Sequence, residues 1–320
     1  MCDRYTDRHT GSGVLADSEK NGSSPSKQIA RPFKRIAVEK GRVYISRMVT
    51  VAITGITGLA GGRVAHALNA AGHRVIGISR TASGDGAGGI IRTVADLTDV
   101  VSLTAALHGC DAVFHFADRA DRKSYEEAHV GIAATNLTAI RAACEANGIS
   151  RIVAASSIYA ERRDRPDDRY VRSKKAMEAA GLAPISAPPA LILRLPPLHG
   201  QGARGAVRHI ANAVAKGWPL PFAVAKAPRR FLSLDALADL CVHLLQIDNS
   251  IFARAAGKIW VPVNVQQGSL AALTRAFGQG KARLLPVPWI DRILGGHVSR
   301  QQLENDRDAL ENAIGWQAKY

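Results

Sequence analysis

The 320-residue sequence predicts an α/β fold: a doubly wound parallel sheet with a small C-terminal α/β lobe. Three observations predict it. From Val49 to Leu195, short apolar runs alternate with helix-length amphipathic patterns, the order that right-handed βαβ units produce. The first of these runs ends in Gly55-x-x-Gly58-x-x-Gly61 and passes directly into a helical pattern. After Arg194 the alternation stops, interrupted by Pro196-Pro197, Gly200-Gln201-Gly202 and Gly217-Trp218-Pro219-Leu220-Pro221, all turn and loop signals.

Each element follows from local pattern. Residues 1–47 are rich in Asp, Ser, Gly, Lys and Arg, with few large apolar residues before Ile36; they read as a disordered basic extension. Met48 stands immediately before the first strand and is a candidate natural start. Val49–Thr54 is the first strand, Gly61–Ala71 a helix stopped at Gly72, and Arg74–Ser79 the second strand. A Gly/Ser-rich loop, 81–89, leads to a third strand, Ile90–Val94, that ends at Asp96. Val100–Leu107 is helical and Ala112–Phe116 is the fourth strand. A long amphipathic pattern, Glu126–Asn147, ends at Gly148, a C-terminal stop signal. Arg151–Ser156 is the fifth strand, Tyr170–Ala180 a helix and Ala190–Leu195 the sixth strand. In the lobe, Leu234–Gln246 is a strong helix and Lys258–Val263 a strand. Ser269 caps a helix to Phe277, 284–288 is extended, and Asp306–Ile314 is the last helix.

Composition narrows the class. Hydrophobic residues make up 47% and charged residues 22%, as in a globular protein able to bury a substantial core. The net charge is +15, of which the first 47 residues supply +5. A basic body attracts anions. Aromatics are only 5%, and no stripe of interleaved basic and aromatic residues suggests nucleic acid as a partner. The four cysteines are scattered and form no CxxC pair, so neither a metal site nor a disulfide framework is indicated. Cys110, Cys144 and Cys241 read as small buried hydrophobes. A reducing, cytoplasmic setting fits, no apolar run reaches membrane-span length, and no membrane partner is expected.

Two stretches carry chemistry. The strand, tight turn and helix start around Gly55, Gly58 and Gly61 let backbone approach a pyrophosphate, with the helix dipole and free N–H groups favouring its charge. Downstream, Ser156-Ser157 closes the fifth strand, and Tyr170 and Lys174 follow on a helix start. Four residues apart, Tyr170 and Lys174 share one helix face. An ammonium there favours the phenolate. A phenolate can take a hydroxyl proton while hydride leaves the same carbon for a nicotinamide, and a serine hydroxyl nearby holds the reacting oxygen.

These residues resemble the extended short-chain dehydrogenase/reductases of the NAD-dependent epimerase/dehydratase family, and within it the bacterial nucleotide-sugar 4-epimerases. The resemblance runs from about Met48 to the C-terminus. It rests on Thr54–Gly61, Ala95-Asp96-Leu97, Asp111–Ala117, Asn136, Ser156-Ser157-Ile158 and Tyr170-x-x-x-Lys174. It continues through Ile192–Pro197, Gly217–Pro221, Arg229–Leu234 and Ile314-Gly315-Trp316. The resemblance implies a Rossmann-type NAD(P)-binding domain over 48–195, and a mainly substrate-binding lobe over 196–320 with parts returning to the core. It implies NAD or NADP as cofactor, with Gly55, Thr57, Gly58, Leu59 and Gly61 at the pyrophosphate turn. Asp96 would bond the adenine amino group, Leu97 pack on its ring, and Ala117 lie near the nicotinamide. Tyr170 is the implied acid/base, Lys174 the partner of Tyr170 and of the nicotinamide ribose, and Ser157, rather than Ser156, the contact of the reacting oxygen. Arg229 matches the arginine that pairs with the substrate diphosphate. The implied reaction is epimerisation of a nucleotide-sugar through transient oxidation of a hydroxyl. An NADPH-dependent carbonyl or keto-sugar reductase and a non-catalytic NAD(P)-binding regulator are the alternatives. Relatives pair as homodimers through the helices that here begin at Glu126 and Tyr170.

Three features depart from the family pattern. Ser79-Arg80 ends the second strand where an acidic residue would take the ribose 2′-hydroxyl; Arg80 can instead receive a 2′-phosphate. Only residues 158–169 separate Ser157 from Tyr170, and Glu161–Arg169 is dense in charge. Tyr159-Ala160 stands where Tyr-Gly is common. Other polar residues have blander readings: His115 as a core histidine, His199 as either a substrate contact or a loop histidine, Tyr159 as structural rather than a second base, Asp235 and Asp239 as helix N-terminal charges. Trp218 and Trp316 read as packing anchors, and Asn136 as a side chain bonded to backbone.

Overall fold

The computed structural model describes residues 35–39, 42–46, 48–81, 87–119 and 125–318. Within the stretch expected to be a disordered extension, β1 (Arg35–Glu39) and β2 (Arg42–Ser46) pair as an antiparallel ribbon. Residues 1–34, 40–41 and 47 of that stretch lie outside the described residues. The loop at 82–86 and residues 120–124 lie outside them too.

The main sheet has seven parallel strands. They are β3 (Thr50–Thr54), β4 (Arg74–Ser79), β5 (Ile91–Val94), β6 (Ala112–His115), β7 (Arg151–Ser157), β8 (Leu191–Leu195) and β11 (Ile259–Trp260). Their order is β11-β8-β7-β6-β3-β4-β5. The chain runs outward from β3 to β5, then returns to β6 on the other side of β3. The crevice beyond Thr54 and His115, partners in register, is thus the switch point where such sheets bind ligands. The short pairs β9 (Leu198–His199) and β10 (Leu232–Ser233) form a separate parallel bridge into the lobe.

Strand alternation sorts the core into two layers. On β3, Val51 and Ile53 face one cluster with Val64, Leu68, Phe114, Leu237, Leu240 and Ile314. Ala52 faces the other, with Leu103, Leu137, Ile140, Ile152 and Met177. Helices α1 (Leu59–Ala70), α6 (Leu234–Gln246) and α10 (Arg300–Ile314) supply the first layer. Helices α2 (Val100–Ala106), α3 (Ile132–Ala146) and α4 (Arg169–Leu182) supply the second. A third cluster lies wholly within residues 203–290, centred on Val207, Phe222, Phe231 and Leu273. It is built by α5 (Gly205–Ala215), α8 (Leu270–Phe277) and the loops around them.

Several boundaries differ from the sequence reading. Helix α3 begins at Ile132, not Glu126. Glu127–His129 is a separate 3-10 turn, closed by reciprocal bonds between Glu126 and His129, with Gly131 before the helix. The strand expected over 258–263 is confined to Ile259–Trp260, because Pro262 carries no N–H for the ladder. Helix α10 starts at Arg300, where Ser299 caps it through the Gln302 N–H. Helix α5, between two Gly/Pro-rich interruptions, and the short helices α7 (Asn249–Ala255) and α9 (Ile290–Leu294) are additional to the elements the sequence pattern marks.

Candidate active site

Beyond β3 the chain turns at Gly55, which has a left-handed φ of +72°. A Cβ there would lie 2.5 Å from the Ala117 nitrogen, so only glycine lets this turn press against the segment leaving β6. Gly58 N–H donates to the Gly55 carbonyl at 2.9 Å and closes the turn. A Cβ on Gly61 would collide with that same carbonyl. Helix α1 thus starts in close contact with its own strand. Gly58 at its N-cap has no side chain to bond the first N–H groups, and the first turn holds no acidic residue. Thr57 and Gly58 are exposed and Leu59 half-buried. An uncapped helix start at the switch point suits a pyrophosphate, so the residues present fit a bound dinucleotide.

At the neighbouring strand ends, Arg80 is exposed after β4 and Asp96 is exposed after β5, with Leu97 half-buried beside it. Asp96 Oδ1 accepts from the Thr98 N–H at 2.9 Å and the Thr98 hydroxyl at 2.8 Å. Those two bonds, with a smaller contribution from Arg80, hold the Asp96 carboxyl below its ordinary range. Ala117 follows β6 on the far side of the Gly turn.

The two serines at the end of β7 have different partners. Ser156 Oγ donates to Glu178 at 2.6 Å, and Glu178 is gripped by both Arg194 Nε at 2.8 Å and Nη2 at 2.6 Å. Ser157 Oγ accepts from the Tyr159 N–H at 3.3 Å and caps the short turn Ile158–Glu161.

Asp168 caps α4, accepting from Tyr170 N at 3.0 Å and Val171 N at 3.3 Å. This sets Tyr170 in the first turn and Lys174 one turn later. Both are buried, and Lys174 Nζ stands 5.5 Å from the Tyr170 ring centre. Tyr125 and Tyr159 meet the Tyr170 ring edge-on, at 5.1 and 6.0 Å between centres. Lys174 Nζ also pairs with Asp118 Oδ2 at 2.6 Å, and Asp118 Oδ1 accepts from the Tyr125 hydroxyl at 2.6 Å. Burial and the Asp118 carboxylate push the Tyr125 phenol well above its ordinary range. Sequence reading passed over Asp118 and Tyr125. The one available signal was an acid directly after the Phe116-Ala117 strand end.

The lobe arginines are engaged. Arg229 is buried, with Nη2 3.2 Å from Asp291 and Nη1 donating to the Gly295 carbonyl, while its Nε has no partner among the described residues. Arg230 joins Asp306 at 2.6 Å and Glu161 at 2.5 Å, and Glu161 also faces Arg194 at 3.5 Å. The charged 158–169 segment therefore turns Glu161 inward.

The structural readings divide. His115 is buried with Nδ1 2.7 Å from Thr54 Oγ1, and burial pushes its imidazole down to about 4. His199 is buried edge-on to Phe277. Trp316 is a packing anchor whose indole N–H donates to Asp239 at 2.8 Å. Trp218 is not: it is 59% exposed, with the Lys216 ammonium over its ring. Asn136 Oδ1 is buried and, among the described residues, has no partner, backbone included. Cys110, Cys144 and Cys241 are buried free thiols. Among the described residues no helix is long and apolar enough to cross a membrane.

No curated protein sequence matches the chain. Solved structures do. A UDP-N-acetylglucosamine 4-epimerase from Bacillus cereus is 19% identical, with a TM-score of 0.66 over 85% of this chain and 94% of that one. A nucleoside-diphosphate-sugar epimerase from Pseudomonas aeruginosa is 20% identical, with a TM-score of 0.59 over 85% and 93%. WbmG from Bordetella bronchiseptica, solved with NAD and UDP, is 18% identical, with a TM-score of 0.60 over 85% and 91%. These likenesses are of fold. The family model described as NAD dependent epimerase/dehydratase family matches residues 51–254. With the Gly-rich switch-point turn and this strand order, the chain is a member of the NAD-dependent epimerase/dehydratase family, whose enzymes use NAD(P).

Proposed function

We propose that the protein is a nucleotide-sugar epimerase that acts through Tyr170, Lys174 and Ser157. The observation that carries the reading is the placement of Tyr170 and Lys174, one turn apart on α4 with the ammonium 5.5 Å from the phenol ring. That helix packs beside β7, which ends in Ser157. Tyr170 Oη removes the proton from a sugar hydroxyl and later returns it. Ser157 Oγ holds the reacting oxygen, while Ser156 is occupied by Glu178. When bound, NAD(P) supplies hydride acceptance from the carbinol carbon and, in an epimerase, hydride return to its opposite face. Gly55, Thr57, Gly58, Leu59 and Gly61 would seat the pyrophosphate, Asp96 and Leu97 the adenine, and Ala117 the nicotinamide side.

Arg229 is the weakest member of this set, because Asp291 already neutralises it. Its Nε is buried, so a substrate phosphate would reach Arg229 only after displacing Asp291 or the Gly295 carbonyl. In this reading residues 48–195 carry the cofactor and 196–320 mainly form the substrate lobe, with α6 and α10 returning to the core. A homodimer through α3 and α4 is part of the same proposal.

The test is conversion of a panel of UDP-hexoses by purified protein, with Tyr170→Phe as control. Redox-neutral inversion lost in Tyr170→Phe supports the reading. No turnover by either protein overturns it and favours an NAD(P)-binding regulator. Arg80 favours a second reading, an NADPH-dependent reductase of a keto-sugar or other carbonyl, recognised by net consumption of NADPH.

A further inference from the structure

We propose that Asp118 is a positioning residue for the cofactor's second ribose, holding the Lys174 ammonium in place to bind that ribose's hydroxyls. The proposal rests on NAD(P) binding through Lys174 and asks nothing of the sugar substrate.

The two residues are 56 positions apart and meet only in the fold. Asp118 leaves the end of β6 immediately after Ala117, beside the Gly55 turn, and Lys174 arrives from α4. Their charged atoms are 2.6 Å apart, with the side chains 16% and 6% exposed. The carboxylate is itself fixed. Its second oxygen accepts from the Tyr125 hydroxyl at 2.6 Å and from the Arg119 N–H at 2.6 Å. Burial acts to raise the Asp118 carboxyl, but the Lys174 charge and the three donors outweigh it and hold the group below its ordinary range. Asp118 is therefore a constant anion rather than a group that titrates near neutrality.

An ammonium has three N–H donors. Asp118 takes one, which leaves two for a vicinal diol. Lysine has a four-carbon stem, and ordering that stem on binding costs free energy that a pre-formed ion pair has already met. The charged groups around the pair, among the described residues, are few. His115 lies behind it on β6 and is held neutral by burial. Tyr125 and His129 approach from the segment before α3, Tyr159 from the turn after β7, and Tyr170 from α4 itself. Asp118 is the carboxylate paired with Lys174.

ADP and ADP-ribose differ by this second ribose, so calorimetric titration of the full chain with each compound isolates it. Wild-type protein is expected to prefer ADP-ribose, and Lys174→Met to abolish that preference. Asp118→Asn is expected to cut the preference about tenfold, the scale of one charge-assisted hydrogen bond, while ADP affinity stays within about twofold. Tyr125→Phe, which removes one anchor of the carboxylate, is expected to cut it about threefold. Equal loss of ADP and ADP-ribose affinity in Asp118→Asn points to a merely structural ion pair and overturns the proposal. An unchanged preference in Asp118→Asn, or in Tyr125→Phe should the first variant not fold, overturns it as well. So does equal binding of the two compounds by wild-type protein.

Discussion

Ser156 and Ser157 are adjacent on β7 but serve different neighbours: Ser156 donates to Glu178 across 2.6 Å, while Ser157 receives the Tyr159 N–H at 3.3 Å. The strand's two-residue period points their hydroxyls to opposite faces. In the proposed site only one of the two, Ser157, is expected to contact the reacting oxygen. Ser157→Ala is expected to lower turnover roughly a hundredfold, the scale of a lost hydrogen bond to a reacting oxygen. Ser156→Ala is expected to keep turnover within a few-fold and to cost about 1 kcal/mol of stability. The reverse ranking in steady-state rates would reassign the site.

Glu178 is one end of a partly buried charge chain. It binds Arg194, which faces Glu161, which binds Arg230, which binds Asp306. Removing one member leaves its neighbours charged and partly buried. Arg230→Met takes the guanidinium from Asp306 and leaves Glu161 with Arg194 at 3.5 Å, and the expected loss in a urea unfolding series is about 2 kcal/mol. A loss below about 1 kcal/mol would show that water reaches this chain.

The Gly-rich turn predicts a graded series. Gly55→Ala places a Cβ 2.5 Å from the Ala117 nitrogen and adds left-handed strain, so a loss of at least about 2 kcal/mol is expected. Gly109 has a similar φ of +74° but open space around it. Gly109→Ala isolates the backbone cost, about 1–2 kcal/mol, and should leave NAD(P) affinity unchanged. Dye-monitored melting and cofactor titration of both variants separate crowding from strain.

Local pattern carried the fold a long way. The strands β3 to β8 each announce themselves by an apolar run between turn signals, and Gly55, Gly58 and Gly61 mark the switch point before any topology is known. Tyr170 and Lys174 are one helical turn apart, so four-residue spacing alone finds them. What escaped are pairs made by tertiary register. Asp118 and Lys174 are 56 residues apart, and Arg229 meets Asp291 over 62. No periodicity links such residues. Helix α5 escaped for another reason. It is 11 residues long and lies between Gly200–Gly202 and Gly217–Pro221, where loop signals dominate the reading.

Three histidines predict the acid side of the stability curve. His73, His115 and His199 are each lowered by burial, His115 to about 4. Unfolded, each binds a proton near pH 6.5. Between that value and the folded value the unfolded chain holds more protons, so stability rises with pH across the window and is lost as pH falls through it. For His115 the window is about 6.5 to 4, and its full contribution is on the order of 3 kcal/mol. Urea midpoints of wild type and His115→Gln at pH 7 and pH 5 check this. The wild type should lose more between the two pH values, and equal losses would assign the acid sensitivity elsewhere.

In the proposed site, Arg80 is the residue expected to read the ribose 2′ position. No carboxylate ends β4 to receive a ribose 2′-hydroxyl, and the exposed guanidinium stands in its place. An arginine there favours a 2′-phosphate, yet Asp96 at the next strand end is an anion close enough to act on it. The two charges oppose each other toward a phosphate. Arg80→Ala leaves Asp96 alone, so NADP binding should fall about tenfold or more, the scale of a lost charge-assisted hydrogen bond, while NAD binding changes little. Asp96→Asn, which removes the proposed adenine contact, should weaken both cofactors, NADP less than NAD because the guanidinium is then unopposed. Dissociation constants for the two cofactors across these variants give the answer directly. An Arg80→Ala protein whose preference between NAD and NADP is unchanged would mean that the 2′ position is read by other residues.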